Sequence, residues 1–383
     1  MRIAINALTT RGRAGVRSYL GRVSVDMARV YAEDQFLVFI NREVLEDFAD
    51  LPSNIKVVSF DLSRFRVARR VLIEQFWLPL LLRRERCDIV YTLAVMDIFA
   101  SPCPSIIRIG NMLPYTEEAM ALQTSLRNRA RLTILRALTA VSRGSADATL
   151  VMSGAAADIL VERCEFSPQK TIGINRGVSP SSTRKEPYSD QELGFPFILV
   201  VSHIVEYKRL PEIADAVVRL GASLGKAKVV IAGEVKDPHF ASYLDDVLAR
   251  HGLADHVIKV GHVPRGQLGD LMDRSLFTIF PSMVETCPVT LIEMMMAGCA
   301  MVVSNQSVMP ALCGDSVLYY DPRDSAALAA RMSELLASRD LREQLGDAVR
   351  ARVDTLGIDW PTALAARRLF FQRVVDGAEL HES

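Results

Sequence analysis

The chain of 383 residues is expected to fold as two doubly wound α/β domains facing a central cleft. Three observations predict this. Short runs rich in Val and Ile alternate with longer helical stretches from end to end. Most of these runs are apolar throughout, as in parallel strands covered on both faces, and do not alternate like half-exposed ones. The length exceeds one ordinary core, and a segment rich in Ser, Pro and charge, "SPSSTRKEPYSDQELGFP" (179–196), divides the runs into two sets.

In the first set the expected strands are "RIAINA" (2–7), "FLVFI" (36–40), "IKVVSF" (55–60), "DIVY" (88–91), "SIIRI" (105–109) and "ATLVM" (148–152). In the second they are "FILVVS" (197–202), "KVVIA" (228–232), "VIKV" (257–260), "SLFTIF" (275–280), "CAMVV" (299–303) and "VLYY" (317–320). The expected division is a first domain over 1–180, a linker over 181–196 and a second domain over 197–360. A final helix begins near Pro361. Sheets of this kind bind ligands at the carboxyl ends of their strands, so the cleft between the domains is the expected site.

Composition narrows the function. Lys and Arg balance Asp and Glu at 45 each, which argues against a nucleic-acid binder. The balance is uneven along the chain. Residues 1–180 hold 24 Lys/Arg against 18 Asp/Glu, and the remainder holds 21 against 27. The first half is therefore the better fit to an anionic surface. The six cysteines show no CxxC pair and no zinc spacing, which suits reduced thiols in the cytoplasm. The apolar start "MRIAINAL" is short for a signal peptide. No run approaches the roughly 20 apolar residues needed to span a bilayer.

The most informative segment is "FPSMVETCPVTLIEMMMAGCAMVVS" (280–304). Pro288 suits the start of a helix and Gly298 its end. Glu285 then lies in the loop before the helix, and Glu293 about one and a half turns inside. A helix N-terminus attracts anions. Carboxylates on either side of such an anion site suit a ligand with hydroxyls at both ends and a diphosphate between them. A nucleotide sugar is such a ligand.

Strand, Pro-Ser, Glu285, Pro288, Glu293, Ala-Gly and a second strand together resemble the C-terminal signature of the family-4 retaining glycosyltransferases. The resemblance covers nearly the whole chain. It implies the GT-B fold, two Rossmann-like domains with the final helix (361–383) returning to the first. It also implies transfer of a hexose-like sugar from a nucleotide diphosphate sugar to a glycan or lipid-linked glycan. Surface polysaccharide assembly is the context it suggests.

The resemblance carries roles residue by residue. Glu285 would orient the sugar hydroxyls, Glu293 would hold the ribose, and Val289 and Thr290, which open the helix between them, would bind the donor. In "VVSHIVEYKRL" (200–210) His203 and Lys208 match a basic pair five apart that meets the diphosphate. Arginine is the commoner residue where His203 stands. Gly15 in "TTRGRAGVRSYLGRV" (9–23) matches a glycine loop near the donor phosphates, and Val263 a loop whose backbone meets the nucleobase. Asn111 stands where the family often has His or Asp beside the transferred sugar. An amide cannot act as a general base, so a hydroxyl contact is implied. Ser153 and Gly177 are weaker candidates for the cleft wall. Ala311 replaces a frequent glutamate.

No DxD constellation lies in a loop, and Asp245–Asp246 falls in a helical stretch. No obligatory metal and no cofactor are expected. "RFRVARRVLIEQFWLPLLLRRER" (64–86) and "SLRNRARLTILRALTAVSR" (125–143) interleave Arg with apolar residues. They fit either core helices with a basic outer face or a surface that rests on an anionic membrane. A nucleotide-sugar epimerase or hydrolase, or a non-catalytic binder of nucleotide or glycan, are the alternative functions.

Overall fold

The computed structural model describes residues 1–10, 19–48, 51–123, 125–178, 186–188 and 193–380. The chain divides into two units. One comprises Met1–Tyr115, Ala130–Asn175 and Pro361–Ser383, and the other Thr116–Arg129 and Arg176–Trp360. Residues 116–129, expected in the first domain, thus group with the second unit.

The first unit is built on seven parallel strands. They are β1 (Arg2–Ala7), β2 (Gln35–Asn41), β3 (Ile55–Phe60), β4 (Ile89–Thr92), β5 (Ser105–Ile109), β6 (Ala148–Val151) and β7 (Thr171–Gly173), in the order β3-β2-β1-β4-β5-β6-β7. Strand β1 is buried at Ile3 and Ile5, and β2 at Val38 and Phe39, as their unbroken apolar sequences require. A helical stretch follows β3. It runs as α1 (Arg66–Leu72), a π-helical turn (Ile73–Trp77) and α2 (Leu78–Arg84). Its inner row, Ile73, Leu78 and Leu82, packs with Leu37, Phe39 and Val90.

The late helix Trp360–Asp376 gives this unit some of its most buried side chains, Arg367, Phe370 and Phe371. Phe371 meets Tyr91 at 5.3 Å between ring centroids. The Arg367 guanidinium donates to the carbonyls of Ala363 and Asn175 at 2.9 Å each and to the Tyr19 hydroxyl at 3.2 Å.

The second unit has six parallel strands: β8 (Phe197–Val201), β9 (Lys228–Ala232), β10 (Val257–Gly261), β11 (Thr278–Phe280), β12 (Met301–Ser304) and β13 (Leu318–Tyr320). Their order is β10-β9-β8-β11-β12-β13, so the winding reverses between β8 and β11. Such a switch point leaves a crevice at the carboxyl ends of the strands. The helices of this unit include α3 (Leu210–Leu220), α4 (Pro238–Arg250), α5 (Arg265–Arg274), α6 (Val289–Ala297) and α7 (Arg339–Thr355).

The segment expected as a linker is strapped to α5 where it is described. Glu186 N donates to Gly266 O (2.9 Å), Tyr188 N to Asp270 Oδ2 (3.1 Å), and Arg274 Nη2 to Leu193 O (3.0 Å). Asp245 and Asp246 lie on α4, where Asp245 pairs with Lys259.

Candidate active site

Two sequence signals position α6. Pro288 is its N-cap, and Gly298 follows its last residue at φ +73°. The helix closes with a Schellman motif, Cys299 N donating to Met294 O (3.1 Å) and Gly298 N to Met295 O (2.9 Å). A small apolar cluster of Val178, Ile292 and Ile358, with Cys287 and Val289 against it, fixes the start of the helix. Glu293 is the fifth residue of α6 and is buried. Glu285 lies in the preceding loop, as its spacing implied.

That loop is held rigidly. Ser307 adopts φ +57°, a conformation few non-glycine residues take. Its Oγ accepts from Glu285 N (3.2 Å) and donates to Glu285 O (2.9 Å). The carboxylate is fixed in turn. Glu285 Oε1 lies 2.5 Å from Lys208 Nζ and 2.9 Å from Ser282 Oγ.

Lys208 reaches this point from the far side of the switch point. It ends a single 3₁₀ turn (Glu206–Lys208) after β8, and Arg209 then enters α3 at φ +46°. Its ammonium lies 5.1 Å from the centre of the Phe280 ring and 5.4 Å from that of Tyr207. Burial by itself would favour the neutral amine. The charge and hydrogen bond of Glu285 outweigh it and hold the Lys208 pKa above its usual value.

These side chains open onto a cavity of about 290 Å³ at the carboxyl ends of β8, β9, β10 and β11. Of the residues singled out in sequence, His203, Lys208, Val263, Glu285, Val289 and Thr290 line it. Glu293 stands behind its wall, 2.9 Å from Nη2 of Arg265, which does line it. Gly15 lies outside the described residues. Asn111 lies in the first unit and is exposed, and its Oδ1 accepts from Leu113 N (2.9 Å), which makes it the keystone of a turn. Ser153 caps the helix Gly154–Cys164 through Ala156 N. The roles of Gly15 and Asn111 rest on the sequence resemblance.

The cavity also contains residues the sequence did not single out. Arg176, His262 and Arg265 add positive or protonatable groups to its wall. Gly233 directly follows β9, where two backbones nearly touch: a Cβ there would meet Ser202 O at 2.0 Å. A glycine directly after a buried strand was its only sequence signal. His203 reaches solvent, yet protein crowding lowers its pKa, and the charges of Lys236, Lys208 and His262 lower it further against the opposing pull of Glu234. Its protonated form is therefore disfavoured. Among the described residues no group of three or more His, Cys, Asp or Glu is arranged to hold a metal ion.

A wall with Lys208, Arg265, Arg176 and the N-terminus of α6 suits a polyanion. Residues 183–352 match the family model described as "Glycosyl transferases group 1". No curated protein matches the chain. Among solved structures, sucrose-phosphate synthase from Thermosynechococcus elongatus superposes with TM-score 0.73 at 16% identity, over 98% of this chain and 100% of that one. A glycosyltransferase from Rickettsia africae ESF-5 superposes with TM-score 0.75 at 13% identity, over 98% and 99%. The fold is GT-B. Anabaena HepE in complex with UDP-glucose shares it, with TM-score 0.70 at 16% identity over 98% and 99%. The stretch that matches the group 1 model lies within the second unit.

Proposed function

We propose that the protein is a retaining glycosyltransferase that moves a hexose-like sugar from a nucleotide diphosphate sugar to a glycan or lipid-linked glycan. The observation that carries this reading is the meeting of Lys208 and Glu285 at 2.5 Å, at the switch point and beside the N-terminus of α6. That arrangement suits a diphosphate next to a sugar. HepE, a structural neighbour, is solved with UDP-glucose.

In this reading Lys208, Arg265 and the α6 amides take up the charge that develops on the leaving diphosphate. Stabilising such charge is usually the largest catalytic contribution. Glu285 accepts hydrogen bonds from the sugar hydroxyls and Glu293 from the ribose. The backbone near Val263 meets the nucleobase. The acceptor hydroxyl attacks on the face that the diphosphate leaves, and a phosphate oxygen takes its proton. These side chains neutralise the leaving group without an obligatory metal. Surface polysaccharide assembly at the cytoplasmic side of a membrane is the setting proposed for the reaction.

A panel of nucleotide sugars, scored by thermal stabilisation, tests donor binding. Mass spectrometry with and without acceptor then separates transfer from epimerisation or hydrolysis, and the anomeric proton couplings of the product test retention. Absence of stabilisation by every nucleoside diphosphate sugar would remove the proposal.

A further inference from the structure

We propose that the outward face of residues 65–84 in the first unit rests on the surface of an anionic lipid bilayer. Leu72, Phe76 and Leu80 form a row at positions i, i+4 and i+8, and they are 55%, 65% and 62% exposed. Trp77 beside them is 61% exposed, and Phe65 and Val67 extend the strip at its start. A helix on a water-soluble unit ordinarily turns its apolar row inward and its polar row outward. Here the inward row (Ile73, Leu78, Leu82) and the outward row are both apolar. The π-helical turn Ile73–Trp77 is where the two neighbouring aromatics, Phe76 and Trp77, both face solvent.

The strip continues onto a neighbouring loop. Gln75 Nε2 donates to Asp97 O at 2.9 Å, and Gln75 Oε1 accepts from Phe99 N at 3.2 Å. Half-exposed Phe99 is thereby tied to Gln75, the residue before Phe76.

Charge identifies the occupant. Residues 64–84 contain six arginines against one glutamate. That glutamate, Glu74, is buried, accepts from Asn6 Nδ2 at 3.1 Å and forms an ion pair with Arg70 at 3.4 Å, so it gives the outer face no negative charge. Arg64, Arg69, Arg83 and Arg84 are exposed; Asp61 and Glu85 act electrostatically on Arg69 and Arg84, so the arginines still outnumber the carboxylates beside them. An apolar strip with exposed guanidinium groups at both ends matches a bilayer whose headgroups are negative. The arginines meet phosphates, the aliphatic and aromatic side chains sink below them, and a tryptophan sits at the boundary. A second copy of the chain fits less well, because two such faces would oppose arginine to arginine. No helix among the described residues is long and apolar enough to cross a membrane, so the contact lies on the surface.

The chain provides its own reporter. Of its two tryptophans, Trp360 is buried and Trp77 exposed. The intact protein is mixed with vesicles of phosphatidylcholine, with and without phosphatidylglycerol. The expected result is co-sedimentation at least about tenfold stronger with phosphatidylglycerol, at roughly 1 kcal/mol per arginine. It comes with a blue shift of Trp77 emission and weakens as salt screens the charges. Phe76→Ser with Trp77→Ser abolishes binding, and Arg69→Gln with Arg83→Gln removes the preference for the anionic lipid. Equal binding to both vesicle types would overturn the proposal. So would a lipid-free dimer in which Trp77 is shielded from quencher. Nucleotide binding, which none of these residues touches, shows that each variant is folded, and its absence in the native chain would count against the transferase reading alone.

Discussion

Lys208 and Glu285, 77 residues apart in sequence, meet at 2.5 Å across the switch point of the second sheet. Each is the other's counter-charge while the cavity is empty, and each is mostly shielded from water. A diphosphate that enters competes for the ammonium and frees the carboxylate for sugar hydroxyls.

Removing one member of this pair strands the other. Lys208→Met is expected to cost roughly 3 kcal/mol, in the range for a buried charge left alone. Adding Glu285→Leu should restore most of that stability, because the paired loss removes both desolvated charges. Nucleotide binding should stay lost in both variants. Urea midpoints and calorimetric titration with a nucleoside diphosphate check both halves. A double variant that regains binding would separate Lys208 from the phosphate.

Glu285→Gln keeps the shape of the side chain and loses its charge. Donor affinity is expected to change little, while kcat falls about a hundredfold, since the lost interaction is with the reacting sugar. A KM that rises with kcat unchanged would contradict this assignment.

Glu293 predicts sugar discrimination. A 2′-deoxy nucleotide leaves a hydrogen-bond acceptor unfilled, and it should bind about tenfold more weakly than the ribo form. Glu293→Ala should bind the two equally, because the acceptor is gone. Competition binding with the two nucleotides measures the ratio.

The lowered pKa of His203 makes binding depend on pH. The protein's own surroundings disfavour the protonated ring. A bound diphosphate raises its pKa, so the complex holds more protons on this ring than the free protein does. Affinity therefore rises as pH falls through the pKa of the complex, and it levels off below that of the free protein. Each unit of difference is tenfold in affinity. Titration in buffers of different ionisation enthalpy should show proton uptake near pH 7, and His203→Gln should abolish it.

Gly233→Ala tests the floor of the cavity. The added methyl would meet Ser202 O at 2.0 Å, and the atoms it meets are all backbone, of Ser202 and His203, with little room to yield. A loss of about 1–3 kcal/mol is expected, with weaker donor binding as the β8 end shifts. Chemical denaturation measures the first and thermal shift the second.

The strands were legible because buried parallel strands leave unbroken apolar runs. Strand β7 was missed: "TIG" offers a single large apolar residue, and its edge position asks for no more. The run at 275–280 was read too long. Ser275 N still donates to Leu271 O (3.0 Å), finishing α5, and the strand begins only at Thr278. In the site, Pro288 and Gly298 announced α6 and so placed both glutamates. Arg265 escaped notice because its partner Glu293 lies 28 residues away and meets it only through tertiary packing. Ser307 escaped because a left-handed serine leaves no mark in composition.

The first unit takes its covering helix from residues some 245 positions beyond its opening segment. Tyr91 therefore waits for Phe371, and the hydroxyl of Tyr19 for Arg367. During translation the second unit, a continuous run apart from residues 116–129, has all its strands outside the ribosome first. The amino-terminal half thus matures after the half that follows it, and a stalled or nicked chain lacking residue 371 leaves that half with an open flank for chaperones and proteases.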